Sequence, residues 1–232
     1  YFLEHGILKK KYLIKKKNIS RMAESLSFIP HIQKLYNIMK KNQKKIVFSG
    51  GNGRFGEVFK QVNNKYKIFY PSKKKLDITN IKKIKSYIKK IKPHYFIHCA
   101  ALSRPMKIHY DNIKKSIDLN IIGTCNVVKI CEEYKVKLIY FSSNFVYPGF
   151  KGNYDEKNPL LPFNNYGWSK LGGECAVKLY SNSLILRVSM TEKPFIHKKA
   201  FANVKTSFLY HKDVAEILFK VLNKKGILNI GG

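Results

Sequence analysis

Between Lys45 and Val62 the chain passes from an apolar, β-prone run into a glycine-spaced turn and then directly into a helical pattern. Ile46-Val47-Phe48-Ser49 reads as a buried strand. Gly50, Gly53 and Gly56 space the turn, and Phe55, Val58, Phe59 and Val62 recur at helical intervals. Strand, glycine turn and helix, in that order, form the setting that a dinucleotide-binding fingerprint requires. The glycine string carries little information alone, and the flanking elements supply it. One glycine permits the tight turn, one lets the backbone approach a pyrophosphate, and one lets helix and strand pack closely. The helix N-terminus, at Arg54 and Phe55, offers unpaired N–H groups and partial positive charge to phosphates.

The pattern then repeats as strand and helix. A second strand is expected from Tyr66 to Tyr70, ended by Pro71. An acidic residue that would hold a ribose 2′-OH is replaced here by Ser72-Lys73-Lys74-Lys75, which suits a 2′-phosphate and leans the reading toward NADP(H) over NAD(H). Asp77, followed by Ile78, suits either an adenine amino group or the N-cap of the next helix. A strand from Tyr95 to Cys99 ends in Ala100-Ala101, small enough for a nucleotide to lie against. A helical pattern runs from about Asn112 to Tyr134, and a strand from Val136 to Phe141 ends in Ser142-Ser143. Such units predict an α/β fold, a doubly wound parallel Rossmann sheet. Its ligands bind outside the carboxyl ends of the strands, where Gly50, Ala100 and Ser143 fall.

Composition narrows the partners. The chain has 232 residues and a net charge of +31, yet only four of its 45 basic residues are arginine: Arg21, Arg54, Arg104 and Arg187. The remaining 45 − 4 = 41 lysines are spread along the whole chain, alongside abundant asparagine and isoleucine. Nucleic-acid readers cluster their charge and favour arginine, so no nucleic-acid partner is expected. No apolar run approaches the ~20 residues that span a bilayer, so no membrane partner is expected either. Cys99, Cys125, Cys131 and Cys175 lack metal-ligand spacing, which predicts no metal site and a reduced, cytoplasmic compartment.

Residues 1–44 read as a lysine-rich, partly helical extension, with Ile32, Leu35, Tyr36 and Met39 on one stripe and Met22 an alternative start. Residues 45–190 read as the dinucleotide-binding domain, and 191–232 as a short C-terminal substrate-binding portion. Within the latter, Phe195 to Ser207 is the expected lid and Ala215, Ile217, Leu218 and Val221 mark a closing helix.

Tyr166 and Lys170 lie four apart, on one face of a helix. A tyrosine beside an ammonium has its pKa drawn down from ~10 and can exchange a proton with a carbonyl or alcohol. Tyr-x-x-x-Lys occurs six times, starting at Tyr12, Tyr36, Tyr70, Tyr110, Tyr147 and Tyr166. Context selects the last, which follows a strand ending in serines and opens a new helix.

With these pieces in order, residues 45–232 resemble the extended short-chain dehydrogenase/reductases, nearest the sugar-nucleotide-binding branch typified by dTDP-4-dehydrorhamnose reductase. The resemblance rests on Gly50-x-x-Gly53-x-x-Gly56, Asp77, Cys99-Ala100-Ala101, Asn120 before Gly123-Thr124, and Ser142-Ser143-Asn144-Phe145-Val146-Tyr147. It continues through Pro162-x-x-x-Tyr166-Gly-x-Ser-Lys170, Leu186-Arg187-Val188 and Asn229-Ile230-Gly231-Gly232. It implies Tyr166 as acid/base and Lys170 as its pKa-lowering partner and ribose ligand. Ser143 would hold the substrate oxygen, and Asn120 would either support proton transfer or merely tie two elements together. It further implies an NADP(H)- or NAD(H)-dependent reductase of a nucleotide-linked keto-sugar in polysaccharide synthesis. An epimerase and a non-catalytic nucleotide-sensing subunit are the alternatives.

Two departures stand out. Asn144 and Phe145 replace the acidic residues of dehydratases, and Asn144 also replaces the aspartate usual in the rhamnose-type reductases. The portion after Ser189 is short, so the substrate is small, another chain (as in a homodimer) completes the pocket, or the C-terminus is missing. Arg187, His197, Lys198 and Lys199 are candidates to meet a diphosphate, with surface placement the better reading of each.

Overall fold

The architecture comes from a computed structural model, which describes residues 43–62, 64–195 and 205–232. Strand β1 (Lys45–Ser49) leads through the glycine turn to α1 (Arg54–Gln61), then β2 (Lys67–Phe69), α2 (Ile81–Ile91) and β3 (Tyr95–His98). Two short helices, α3 (Ile108–Asp111) and α4 (Ile113–Ser116), run through a π-helical turn (Ile117–Ile122) into α5 (Gly123–Glu133). Strand β4 (Lys137–Phe141) precedes a 3₁₀ turn (Asn144–Val146) and α6 (Asn165–Lys178). The chain closes with β5 (Ser183–Thr191), β6 (Phe208–Tyr210), α7 (His211–Val221) and β7 (Gly226–Ile230).

Every pairing among these strands is parallel, in the order β2-β1-β3-β4-β5. The far edge of β5 is divided, with Leu184–Val188 pairing to β7 and Ser189–Thr191 to β6. The stretch beyond Thr191 thus adds two strands and a helix to the sheet and its core. Both faces of the sheet are covered, which is why its strands read as continuous apolar runs. Ile46, Phe48, Ile97, Ile139, Phe141, Leu184 and Leu186 pack on α1 and α7. Val47, Phe96, Leu138, Tyr140 and Ile185 point the other way, onto α2, α5 and α6.

The helical pattern of 112–134 is broken into pieces. Asn112 caps α4, its Oδ1 accepting from Lys115 N at 2.9 Å, and the π-helical turn follows. A π turn inserts a residue and rotates those after it, and such turns gather at functional sites. Here it carries Asn120, which is 1% exposed. The Ile32 to Met39 stripe, most of the Phe195 to Ser207 segment, and His197, Lys198 and Lys199 lie outside the described residues.

From β1 the chain steps out to β2, then crosses back to β3 on β1's other side. The carboxyl ends of β1 and β3 therefore frame the switch-point crevice where ligands of open α/β sheets bind.

Candidate active site

The crevice begins at Gly50, whose φ of +84° suits glycine alone, and a Cβ there would lie 2.7 Å from Ala100 N. The turn therefore presses directly on the end of β3. At Gly56 a Cβ would lie 2.5 Å from Gly51 O, so α1 seats on the turn only through a glycine. Gly53 differs: it is exposed, N-caps α1 without a side chain, and faces nothing nearer a new Cβ than Gly50 O at 3.2 Å. An uncapped helix N-terminus with open space before it fits a dinucleotide's diphosphate. Arg54 is exposed at the head of α1. Phe55 is 5% exposed and packs in the core against Phe48, Phe59 and Phe141, so it could offer a ligand only its backbone N–H.

Beside the turn, Asp77 Oδ1 accepts from Thr79 N at 3.0 Å and Thr79 Oγ1 at 2.8 Å. The N-cap of α2 is Asn80, not Asp77, and it accepts from Lys83 N at 3.1 Å. Partial burial raises the Asp77 pKa, but the Thr79 hydrogen bonds, Lys73 and Lys83 outweigh it and the net shift is downward. Ile78 is buried and packs on Gly123, while its carbonyl accepts from Asn126 Nδ2 at 3.1 Å. Lys73 to Lys75 are exposed. Cys99 and Ala100 are half-buried and Ala101 exposed, and burial pushes the Cys99 thiol up to about 12, leaving it protonated.

Ser143 ends the segment after β4 and caps the 3₁₀ turn, its Oγ accepting from Phe145 N at 3.2 Å. Tyr166 enters the same space from the first turn of α6, which Asn164 caps through Gly167 N at 2.7 Å. Against the lowering by Lys170 expected from the sequence, burial of the Tyr166 hydroxyl raises its pKa, opposed by Ser143 and by the charge of Arg104. Lys170, one turn on, is 3% exposed, and burial lowers its pKa to about 8. Its ammonium sits 4.3 Å from the centroid of the Tyr140 ring.

Hydrogen bonds fix these groups from behind. Asn120 Oδ1 accepts from Leu102 N at 2.7 Å, and its Nδ2 donates to Leu102 O at 2.9 Å and Ser169 Oγ at 2.8 Å. The amide is engaged at both ends, so Asn120 binds the loop after β3 to α6. His98 bridges Ser49 Oγ at 3.0 Å and Thr124 Oγ1 at 3.1 Å. Thr124 donates onward to Asn120 O, so His98 Nε2 must carry the proton and Nδ1 accepts from Ser49. Burial holds its pKa down at about 3, keeping the ring neutral.

Arg187 is buried, against the surface placement expected of it. It pairs with Glu174 at 2.5 Å, and its Nη1 donates to Tyr147 Oη at 2.6 Å. Ser142 donates to the same carboxylate at 2.6 Å. The arginine therefore locks β4, α6 and β5 together behind Ser143, its guanidinium taken up by protein partners.

The profile of the RmlD substrate-binding domain matches residues 44–224. The chain belongs to that family. It is thereby an extended short-chain dehydrogenase/reductase, as its motifs imply. Its structure superposes with a TM-score of 0.72 on dTDP-4-dehydrorhamnose reductase from Bacillus anthracis, solved with NADP, at 27% identity over 82% of this chain and 75% of that one. The Bordetella bronchiseptica enzyme WbmG, solved with NAD, shares the fold at a TM-score of 0.69 and 19% identity, over 82% of this chain and 73% of its own. A third relative is methionine adenosyltransferase 2 subunit beta from Xenopus laevis, 38% identical over 107 residues, 45% of this chain and 31% of that protein. The chain spans less than half the length of the curated relatives it matches.

Set in the RmlD-type frame, three further residues line the site without any motif to announce them. His109 is 1% exposed, bonds Ser116 Oγ through Nδ1 at 2.7 Å, and lies 5.2 Å from the Tyr166 ring. Glu192 follows β5 and pairs with Arg54 at 2.8 Å, while Arg104 Nη1 lies 3.9 Å from the same oxygen. Scarcity was the one available signal, since arginines and acidic residues are few in this lysine-rich chain.

Proposed function

We propose that this chain binds NADP(H) or NAD(H) in the β1–β3 crevice and reduces the keto group of a nucleotide-linked sugar, with Tyr166 as proton donor. The observation that carries the reading is the placing of Tyr166 and buried Lys170 one turn apart on α6, with Ser143 at the end of the strand before it and an open glycine turn after β1. Gly50, Gly53 and Gly56, the first backbone N–H groups of α1 at Arg54 and Phe55, and Asp77, Ile78, Cys99, Ala100 and Ala101 are the residues that would hold the dinucleotide. The bound nicotinamide supplies the hydride. A proton donor must begin protonated, and the raised pKa of Tyr166 meets that demand. Ser143 Oγ orients the carbonyl oxygen toward Tyr166. Lys170, still largely charged at neutral pH, would stabilise the tyrosinate left behind and is the residue that would hold the ribose. Asn120 acts through position, holding the helix that carries both residues. The family's structural relative solved with NADP supports the cofactor assignment.

A second reading keeps the dinucleotide and drops the turnover, making the chain a binding subunit. It is favoured by the relatives named as subunit beta of a methionine adenosyltransferase. One assay separates the two: dinucleotide oxidation in the presence of nucleotide-linked 4-keto sugars, run beside direct dinucleotide binding. Turnover that Tyr166→Phe lowers by roughly 10²–10⁴-fold, with binding retained, is the expected result. Binding without turnover on any such sugar moves the assignment to the subunit reading, and isomerised sugar without net oxidation moves it to an epimerase.

A further inference from the structure

Arginine is the exception in this chain, four residues against 41 lysines, and three of the four are described. Arg187 needs a guanidinium for its buried, multiply bonded pair with Glu174. The other two, Arg54 and Arg104, converge on a single carboxylate oxygen of Glu192, at 2.8 and 3.9 Å. Arg54 stands just beyond the glycine turn after β1, Arg104 in the loop after β3, and Glu192 just beyond β5. Three loops of the sheet's carboxyl edge thus meet over the crevice. Close by, His211 is 7% exposed, packs edge-on to Phe55 at 5.7 Å and has a buried Nδ1 without a hydrogen-bond partner. A buried polar atom of that kind is the mark of a site that a bound group or water completes.

Lysine offers a point charge, whereas the guanidinium fork matches the paired oxygens of a carboxylate or a phosphate. Glu192 presents to the two arginines one anionic oxygen, Oε1, in the place where a phosphate oxygen would sit. We propose that Arg54 and Arg104 form a clamp for the diphosphate of the dinucleotide, and that Glu192 is the clamp's resident anion, which the ligand displaces. The inference rests on the dinucleotide reading of the crevice given above. While the clamp is empty, Glu192 keeps two like charges from repelling each other. A ligand with a single weak charge cannot repay the lost ion pairs, so the device favours diphosphates over monophosphates.

The test is titration of the full chain with NADPH, NADH, inorganic pyrophosphate and inorganic phosphate, at low and high salt. Glu192→Gln keeps size and polarity but removes the competing charge. It should tighten dinucleotide and pyrophosphate binding by about two- to five-fold, the range for a partly exposed ion pair, and narrow the preference over phosphate. Arg54→Gln and Arg104→Gln should each weaken dinucleotide binding roughly ten-fold or more and make it less salt-sensitive, with the lysine variants recovering only part. Thermal unfolding without ligand confirms that each variant is folded, and Glu192→Asp, charged but shorter, serves as a second variant and should fall between wild type and Glu192→Gln. Wild-type binding that Glu192→Gln leaves unchanged or weakens overturns the clamp and spares the cofactor reading. Folded wild-type protein that binds neither dinucleotide nor pyrophosphate overturns both.

Discussion

Lys170 shows what a site residue costs the fold. It is 3% exposed, and burial brings its pKa from the ordinary 10.5 to about 8. Between those values the unfolded chain holds the proton that the folded chain has released, so stability gains as pH rises through that window. Below about 8 both forms are charged and the full penalty of the buried ammonium applies. Lys170→Met should therefore raise the unfolding temperature of ligand-free protein by roughly 3–8 °C at pH 7. The gain should shrink near pH 10, and the reductase turnover proposed above should be lost. An unchanged or lower unfolding temperature at pH 7 would contradict this account. The place of Lys170 was legible from the Tyr-x-x-x-Lys spacing and the strand before it. Its contact with the Tyr140 ring was not, because β4 and α6 meet only in three dimensions. For the same reason Arg187 looked like a surface residue: its partner Glu174 sits 13 residues away on another element, and no spacing rule links a strand to a helix. Asp77 and Asn80 are both good capping residues, and the Thr79 hydrogen bonds decide between them by occupying Asp77.

At the scale of elements, the Glu174–Arg187 pair is the bolt between α6 and β5, and Ser142 ties β4 to it. Removing one partner strands the other charge in the core. Glu174→Leu should cost about 3–5 kcal/mol in urea unfolding, whereas Glu174→Leu combined with Arg187→Met should recover much of that loss. A double variant as unstable as the single would show that hydrogen bonds to Tyr147 and Ser142, not charge pairing, dominate. The elements themselves were largely readable, since strands buried on both faces announce themselves as apolar runs. The π-helical turn was not. Its residues keep an acceptable helical stripe, and the partners its Asn120 amide meets, Leu102 and Ser169, are brought there only in three dimensions.

The whole molecule carries a formal charge of +31, with 45 basic residues against 14 acidic ones, so its lysines far outnumber the carboxylates that could offset them. Self-repulsion of that size favours expansion. Raising sodium chloride from about 20 mM to about 300 mM should lift the unfolding temperature by several degrees, since screening weakens the repulsion more than it weakens scattered surface pairs. A fall with salt would mean that those pairs matter more than the net charge. The doubly wound sheet was legible from its first four strands, but β6 and β7 were not, being short and joined to β5 by pairings the linear pattern does not display. That divided edge also has a bearing on synthesis. Leu184–Val188 of β5 meet no neighbour on one side until β7 is made, 230 − 188 = 42 residues later. At ~5–20 residues per second, a ribosome needs roughly 2–8 s to cover that distance. Throughout that interval the nascent chain presents an unpaired, apolar strand to its surroundings, and the last five-residue strand is what ends its exposure.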